Sequence, residues 1–442
     1  MTTDPSIEKF LASLDRSQYL SPQRQIAYQR KLLEPLLVHA REQTVHYRQR
    51  LDPIFNANGT IDWSRWSDLP ILTRADAQNH YSDLRAKSFP RQAGDAIEET
   101  SSGSTGRPLR HATTEMQHLA SACCSERFFN WHKIAPDGLV ARIRAATHPD
   151  AQYPKGLTTQ GWRPGHPQSQ VIDLAIAADI EEQLSWLARV KPRYLATYPS
   201  NLRELAKRSR GRLSFDAIMT FGEMVSEDMQ NIFSEHFGMR AFDRYGASEV
   251  GHIAGSCPMS HSLHIASELV LVEIVDEHGR CVPPGVTGRI VVTPFYNFAM
   301  PFIRYDLGDF GSLSPEPCAC GRSLPMFKKL MGRNRNMFRF ADGTTRWPVL
   351  FSSELNRFVP NSQFQIVQHT YSEMEFRFVP RSITQDNDHF GLEAYFKDRL
   401  HPAVTVRLTQ LEQIPRSSGG KYEDYLCLIP EDQLGAQILP SQ

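Results

Sequence analysis

Residues 100–108 are the part of this chain best suited to bind phosphate. The segment reads TSSGSTGRP, so two glycines bracket hydroxyl-bearing residues and a cation follows directly. Such a loop can direct backbone N–H groups and hydroxyls toward a polyphosphate. The residues expected to contact phosphate are Ser101, Ser102, Gly103, Ser104, Thr105, Gly106 and Arg107. No Lys-Ser/Thr pair closes the loop as in a Walker A motif, and a flexible surface linker is the alternative interpretation.

Two downstream segments carry acidic residues that could complete a nucleotide site. The first, RYGASE over 244–249, follows a predicted strand, and open α/β sheets bind ligands at strand ends. We expect Tyr245 to stack on a base, Ser248 to contact phosphate and Glu249 to hold Mg²⁺. In the second, RYDLGD over 304–309, Asp309 could accept both hydroxyls of a ribose. The alternatives are a turn with a solvated Glu249, and turn capping by Asp306 and Asp309.

Cysteine and histidine residues define a third constellation. Cys257 and His264 stand seven positions apart, and Cys318 and Cys320 form a C-x-C pair. Three thiolates and one imidazole would satisfy a closed, structural, tetrahedral zinc site. His261 is a competing ligand, and buried free thiols are the alternative. The remaining cysteines are expected to pack as small apolar residues, namely Cys123, Cys124, Cys281 and Cys427.

Hydrophobic periodicity indicates the elements that must position these segments. The first ninety residues are predicted to be helical, with a helix over 24–51 and a short one over 74–79 capped by Thr73. Strands then alternate with amphipathic helices, which is typical of βαβ units and a parallel sheet. The strands are predicted at 140–146, 170–176, 194–198, 217–221 and 241–245, and the helices at 179–190, 201–209 and 226–237. A hairpin is predicted over 269–295.

The last hundred residues predict a smaller unit. Its strands are expected near 363–369, 373–379 and 404–408, with a helix over 392–400. The predicted fold class is therefore α/β. A large N-terminal domain of parallel and mixed sheets with helices would span residues 1–334, and a small α+β domain would span residues 335–442.

Composition excludes several classes of protein. The chain has 442 residues, and 49 Lys+Arg balance 49 Asp+Glu, which argues against a general nucleic-acid binder. No apolar run approaches the roughly 20 residues that span a bilayer. The N-terminus lacks the pattern of a signal peptide, and seven cysteines cannot all pair within one chain. We therefore expect a cytoplasmic protein that binds neither nucleic acid nor membrane.

Read in order, these segments resemble the phenylacetate–CoA ligase family of the adenylate-forming (acyl-CoA synthetase-like) superfamily, over nearly the whole chain. LLEPLLVHAREQTVHYRQRL followed by LPILTRADAQ is similar to the family's helical N-terminus. SSGSTGRP matches its phosphate loop, with Arg107 where lysine is usual, and YGASE and RYDLGD match its later motifs. IPRSSGGK over 414–421 resembles its Gly-Lys loop. The resemblance further implies nucleotide contacts by Gly222, Glu223, Gly246 and Arg333.

The resemblance implies a two-step reaction. A carboxylate attacks the α-phosphate of ATP to give an acyl-adenylate and pyrophosphate, and CoA then takes the acyl group as a thioester. Lys421 and Glu249 would be the catalytic residues, with Lys421 carried on a mobile small domain and Glu249 holding Mg²⁺. The family also has cysteines and a histidine at similar places, which bind zinc in some members.

Two regions depart from the family pattern, and the acyl pocket is assigned by analogy alone. The hinge, usually Gly-Arg-x-Asp-Asp, reads GRNRN over 332–336 and places Arg335 at the pivot. Residues 340–343, FADG, lack the Arg-Gly that approaches the thiol acceptor, so CoA, a carrier protein and an amine remain open as acceptors. By analogy, Tyr198, Phe221 and Ala247 border the acyl pocket and favour an aromatic acid.

The leading hypothesis is thus an AMP-forming aryl-acid ligase, resembling secondary-metabolite members of the group. Its expected cofactors and co-substrates are ATP, Mg²⁺, CoA and a structural Zn²⁺, and its substrate is a small carboxylic acid. A carrier protein and a second copy of the chain are the further partners considered. The alternative hypothesis is an adenylate-binding pathway scaffold that has lost the second half-reaction.

Overall fold

A computed structural model of the chain describes residues 5–101, 108–145, 148–209, 211–260, 262–333, 337–346, 348, 350, 352–382, 386–416 and 421–429. Outside these ranges lie Ser102, Gly103, Ser104, Thr105, Gly106, Arg107, the pivot residue Arg335 and the competing zinc ligand His261. Their roles stay predictions. Within the described ranges, no helix is both long enough and apolar enough to cross a bilayer.

The N-terminal region is helical, as predicted. Its helices are α1 (Pro5–Ser17), α2 (Pro22–Gln43), α3 (Tyr47–Arg50), α4 (Arg74–Asn79) and α5 (Tyr81–Leu84), with 3₁₀ turns at Asp52–Ile54, Trp63–Asp68 and Arg91–Ala93. The prediction of one helix over 24–51 is wrong. Thr44 is extended there; its hydroxyl donates to the Ala40 carbonyl oxygen at 2.8 Å and accepts from the Tyr47 N–H at 3.1 Å. Thr44 therefore ends α2, and α3 follows after a break of three residues.

The expected cap at Thr73 is present at the start of α4. The Thr73 hydroxyl accepts from the Asp76 N–H at 3.0 Å, and the Asp76 carboxylate accepts from the Thr73 N–H at 3.1 Å. This reciprocal pair satisfies two N–H groups that a helix N-terminus otherwise leaves unpaired. It also fixes the direction of Arg74, the first residue of the helix.

Strands and helices alternate after residue 95. The elements are β1 (Ala96–Thr100), β2 (Arg110–Thr114), α6 (Glu115–Trp131), β3 (Val140–Arg144), β4 (Leu157–Gln160), β5 (Gln170–Ala175), α7 (Ile180–Val190), β6 (Tyr194–Thr197), α8 (Pro199–Ser209), β7 (Ala217–Phe221), α9 (Glu227–Phe237) and β8 (Phe242–Ala247). Strands β5, β3, β6, β7 and β8 run parallel to one another, as the βαβ pattern predicts. The edge strand β4 pairs antiparallel with β5 and was not predicted.

An antiparallel half continues the same sheet. It contains β9 (Gly251–Ser256), β10 (Leu263–Ile265), β11 (Val270–Val275), β12 (Gly288–Pro294), β13 (Tyr305–Leu313) and β14 (Met326–Arg333). Among the described residues this sheet has twelve strands, in the order β11-β12-β13-β14-β10-β9-β8-β7-β6-β3-β5-β4. The predicted hairpin is the β11–β12 pair. The antiparallel half carries RYDLGD, and the sheet continues from it to the strand that carries YGASE.

The two faces of the parallel strands pack against different helices. Ile143, Leu195 and Ile218 point to one face and share a core with α7, α8 and α9. Ala196 and Met219 point to the other face, where they pack with Phe128 and Phe129 of α6. Because side chains alternate along a strand, the sequence of each strand serves both cores.

A second, smaller unit follows β14. Its elements are β15 (Phe338–Arg339), β16 (Thr345–Arg346), α10 (Ser352–Phe358), β17 (Asn361–Gln368), β18 (Glu373–Pro380), α11 (His389–Arg399), β19 (Thr405–Gln410) and β20 (Tyr425–Cys427). A mixed sheet of order β19-β18-β17-β20 packs on a core of its own that includes Phe364, Phe376 and Phe396. The α+β character agrees with the sequence, whereas β20 was not predicted. The boundary at 334 lies outside the described residues and stays a prediction.

Candidate active site and cysteine cluster

The carboxyl ends of the parallel strands bring the predicted segments together. In the strand register, Thr197 lies beside Thr220 and Phe221 lies beside Arg244. Tyr198 therefore follows the end of β6 next to Phe221, and their ring centroids are 5.1 Å apart. Chain segments separated by more than forty residues thus meet at one edge of the sheet, where open α/β sheets bind ligands.

The predicted base-stacking and ribose residues are joined directly. The Tyr245 hydroxyl donates a 2.6 Å hydrogen bond to Oδ2 of Asp309. Asp309 lies on β13 opposite Arg333, whose backbone continues toward the predicted hinge. Asp306 is a turn cap, as the alternative interpretation held, because its carboxylate accepts from the Gly308 N–H at 2.8 Å. The two acidic residues of RYDLGD therefore have different surroundings.

Glu249 lies in a buried polar network. It is 5% exposed, and its carboxylate accepts hydrogen bonds from the Tyr305 hydroxyl at 3.0 Å and the Ser248 hydroxyl at 3.1 Å. Burial, followed by the negative charge of Glu249, raises the pKa of Tyr305, which keeps that phenol a hydrogen-bond donor. Glu249 is thus not the solvated turn residue of the alternative interpretation.

Arg74 is a site residue that sequence reasoning missed. Its Nη1 lies 3.5 Å from Oε1 of Glu249, and its Nη2 donates to the Ser101 hydroxyl at 2.8 Å. It therefore links the described start of the phosphate loop to the predicted magnesium ligand. The only local signal was its place after the Thr73 cap. That signal predicts the start of a helix and gives no information about contacts with distant segments.

Lys421 lies against the predicted adenine segment. A Cβ placed on Gly222 would be 3.5 Å from Cε of Lys421 and 3.1 Å from Cε1 of Tyr198. Gly222 also has a φ of +80°, a conformation that favours glycine. Gly246 is equally restricted, because a Cβ there would be 2.6 Å from the Gly251 carbonyl oxygen. The lysine of the Gly-Lys loop thus meets the large domain beside Tyr198 and Phe221.

Glu223 contacts the C-terminal unit. Its carboxylate accepts from the N–H and hydroxyl of Ser200 at 2.9 and 3.1 Å and from the Tyr422 N–H, and it lies 3.7 Å from Arg416. Burial raises the pKa of Glu223, and the charge of Arg416 opposes this shift. Sequence reasoning assigned Glu223 to the nucleotide, and in this arrangement its carboxylate is engaged by protein donors.

A second ion pair joins the same surfaces. The buried Arg203 of α8 lies 3.4 Å from the half-buried Asp424. Arg416 also donates to the Ser200 hydroxyl at 2.9 Å. Together with Glu223, these contacts join Arg416, Tyr422 and Asp424 of the C-terminal unit to the large domain. We call the contacts of Glu223, Arg416, Arg203 and Asp424 the interdomain latch.

The three predicted acyl-pocket residues do not all lie next to one another. Tyr198 is buried, and its hydroxyl accepts from the Ala145 N–H at 3.3 Å. Phe221 is half-buried beside it, against the core that includes Phe128. Ala247 lies at the far end of β8 and packs against a further core, which the N-terminal helices and the antiparallel strands share. The acyl-pocket assignment therefore stays a prediction for all three residues.

The four predicted zinc ligands converge. Their ligand atoms all lie within 4.8 Å of one another, with Cys257 Sγ to Cys318 Sγ at 3.6 Å and Cys320 Sγ to His264 Nε2 at 3.3 Å. Tetrahedral zinc with Zn–S bonds near 2.3 Å requires S–S separations of about 3.8 Å. Nδ1 of His264 lies 3.1 Å from the Leu324 carbonyl oxygen, an arrangement that leaves Nε2 facing the thiols.

Burial raises the pKa of Cys318, whereas the surroundings of Cys257 favour a thiolate. Burial raises the pKa of Cys257, but hydrogen bonds from His264 and from backbone N–H groups outweigh it and lower the pKa to about 5. All seven cysteines are free. Cys123 and Cys124 are buried, as predicted, and Cys427 is half-buried. The prediction that Cys281 packs inside is wrong, because it is exposed on the connection between β11 and β12.

Comparison with known proteins gives relatives over nearly the full length. No protein-family model matches the chain. Phenylacetate-coenzyme A ligase of Thermus thermophilus is 24% identical, over 91% of this chain and 96% of that protein. A 2-hydroxyisobutyryl-CoA ligase in its postadenylation state has a TM-score of 0.73 at 17% identity, covering 95% of this chain and 92% of that one. The same ligase in its thioesterification state has a TM-score of 0.61 at 19% identity, covering 93% and 91%.

Proposed function

We propose that this chain belongs to the adenylate-forming superfamily and is an AMP-forming acid–thiol ligase. It would activate a carboxylic acid as the acyl-adenylate and then transfer the acyl group to CoA. The observation that carries the proposal is the position of Lys421 against Gly222 and Tyr198. Adenylation needs a cation where the substrate carboxylate meets the α-phosphate, and Lys421 is a cation beside the predicted adenine segment.

The reaction as proposed uses electrostatic stabilisation and no covalent nucleophile. Negative charge develops on the transferring phosphoryl group and on the leaving pyrophosphate, so cations and fixed donors lower the barrier. Lys421 would bridge the substrate carboxylate and the α-phosphate, and Arg107 would hold the leaving phosphates. Asp309 would accept the ribose hydroxyls, with its carboxylate oriented by the Tyr245 hydroxyl.

The buried carboxylate of Glu249 fits a magnesium ligand, since hard oxygen ligands suit Mg²⁺. Mg²⁺ would supply positive charge to the ATP phosphates. Arg74 would serve the same end, because it already contacts Glu249 and Ser101. We further propose that Cys257, His264, Cys318 and Cys320 hold a structural zinc ion, which would tie β9 and β10 to the segment before β14.

The domain movement and the identity of the acceptor are more detailed parts of the proposal. Domains of 1–334 and 335–442, with Arg335 as the pivot, would rotate between an adenylating and a thioester-forming arrangement. The interdomain latch would hold Lys421 in the arrangement suited to adenylation. We keep CoA as the acceptor, as the names of the relatives suggest. A carrier protein, an amine acceptor and a homodimer are secondary proposals.

The experiment measures both half-reactions on a panel of aromatic and aliphatic acids. Pyrophosphate release and hydroxylamine trapping are followed with and without CoA. We expect acid-dependent release that falls at least about a hundredfold in Lys421→Ala, with thioester formed when CoA is present. Lys9→Ala, at an exposed lysine of α1, is the matched control and should behave as wild type. Absence of acid-dependent pyrophosphate across the panel would overturn the proposal, and release without thioester would indicate another acceptor.

A further inference from the structure

Tyr422, the residue that follows Lys421, is fastened to both units of the protein. It is 6% exposed. Its backbone N–H donates to the carboxylate of Glu223 in the large domain, and its hydroxyl donates to the Phe364 carbonyl oxygen on β17. Burial, followed by the negative charge of Asp424, raises the pKa of Tyr422, so this hydroxyl stays protonated and keeps its role as a donor.

Two arginines lie over the ring of Tyr422. The guanidinium carbon of Arg203, on α8 of the large domain, is 5.5 Å from the ring centroid, and that of Arg416 is 5.8 Å from it. The same carbon of Arg203 is 5.9 Å from the ring centroid of Phe364. Cations at such distances from an aromatic face are attracted to it. The ring therefore contributes to the contact between the two units.

A second tyrosine nearby has a different place. Tyr425, three residues further along the chain, packs against the core of the C-terminal unit, and its hydroxyl donates to the Leu350 carbonyl oxygen at 2.7 Å. The contacts of Tyr425 therefore lie within one unit. Those of Tyr422 include Glu223 and Arg203 of the other unit, so they depend on how the two units are arranged.

The side chains of Lys421 and Tyr422 reach different groups. Cε of Lys421 would be 3.5 Å from a Cβ placed on Gly222, whereas the ring of Tyr422 lies against Arg203. The lysine stem is flexible, so the place of its ammonium group depends on where its backbone is held. The N–H of the next residue is bound to Glu223, which fixes that backbone next to Gly222.

We propose that Tyr422 is a positioning residue for Lys421, and that its ring and hydroxyl hold the lysine where the substrate carboxylate meets the α-phosphate. This inference rests on the proposed function, since it concerns the lysine of the adenylation step. Tyr422 touches no reacting atom and acts through the backbone that carries Lys421. Rotation of the C-terminal unit would separate Tyr422 from Glu223 and Arg203, so its contribution belongs to the first half-reaction and not to the second.

The first test measures ATP–pyrophosphate exchange with the acid of the panel that gives the fastest exchange. We expect Tyr422→Leu, which removes the ring and the hydroxyl, to lower kcat about tenfold and to change KM for ATP and for the acid less than twofold. Tyr422→Phe keeps the ring and should lower kcat about threefold. Tyr371→Leu, at a half-buried tyrosine in the turn between β17 and β18, is the control. An unchanged kcat in Tyr422→Leu would overturn the inference.

A double-mutant cycle separates positioning from a merely structural role. If Tyr422 acts through Lys421, adding Tyr422→Leu to Lys421→Ala should cost less than a further twofold, because the group that it positions is already gone. A further tenfold loss in the double variant would overturn the inference. Thioester formation from added acyl-adenylate should be the same in Tyr422→Leu and wild type.

A second measurement keeps the inference separate from the proposed function. If no acid supports exchange, the proposed function fails, and the inference is then judged on brief treatment with acetic anhydride followed by mass spectrometry. We expect Lys421, which is half-buried, to be acetylated severalfold faster relative to the exposed Lys328 in Tyr422→Leu than in wild type. Equal relative rates would overturn the inference. Should Tyr422→Leu lose its thermal unfolding transition, Tyr422→Phe takes its place in both measurements.

Discussion

The Tyr245 hydroxyl and the Asp309 carboxylate are joined by a 2.6 Å hydrogen bond between β8 and β13. The two residues are 64 positions apart in the chain. Sequence reasoning placed one on the base and the other on the ribose. Their contact means that the tyrosine also fixes the orientation of the carboxylate that would receive the ribose hydroxyls.

Removing that hydroxyl should weaken ATP binding selectively. In Tyr245→Phe the ring remains while the hydrogen bond to a charged acceptor is lost, a contribution of about 1.5–3 kcal/mol. We expect KM for ATP to rise about tenfold and KM for the acid to change less than twofold. Tyr19→Phe, at an exposed tyrosine, is the control. An equal rise in both KM values would contradict a specific role at the ribose.

The interdomain latch should favour the first half-reaction over the second. Glu223→Gln removes the charge that holds Arg416 while keeping the size of the side chain. We expect ATP–pyrophosphate exchange to fall about tenfold and thioester formation from added acyl-adenylate to be unchanged or faster. The exposed Glu181→Gln is the matched control. A parallel loss of both half-reactions would argue that Glu223 acts on the nucleotide instead.

Asp243 should make stability depend on pH. Burial raises the pKa of Asp243 from 3.8 to about 7, so the native state prefers the protonated form. Its contribution to stability is present below about pH 4 and is lost as pH rises toward 7, by up to about 4 kcal/mol. Asp243→Asn does not titrate and keeps an acceptor for Thr220.

The free energy of unfolding in urea checks this expectation at pH 5 and pH 8. The Asn variant should gain stability relative to wild type as pH increases. A difference that stays constant over this range would show that the carboxyl of Asp243 is not responsible.

Zinc content should depend on Cys318 and not on Cys281. Cys318→Ser removes a ligand of the converging cluster, and we expect bound zinc to fall from about one ion per chain to well below half. The melting temperature should fall with it. Cys281→Ser, at an exposed cysteine outside the cluster, should retain zinc. Equal zinc in the two variants by elemental analysis would refute the ligand set.

Local sequence determined the order of the motifs and the kind of many of the elements, although not of β4 or β20. The hydrophobic pattern gave β7 over its observed bounds and Thr73 as a cap, because periodicity and capping depend on neighbours within a few residues. The sequence spacing also predicted the cysteine cluster, whose four ligand atoms lie close together in the structure. Its residues are Cys257, His264, Cys318 and Cys320. Thr44 shows the limit of periodicity, since a side-chain hydrogen bond to the backbone interrupted an otherwise helical pattern.

Only the tertiary structure decided which of these residues meet. Arg74 reaches Glu249, and Glu223 faces Arg416. Each contact joins segments more than 150 residues apart, so it depends on how the elements pack and not on any local sequence pattern. Sequence therefore established the chemistry that the site could hold. The fold established which charged groups lie around it, because contacts between distant segments depend on tertiary packing.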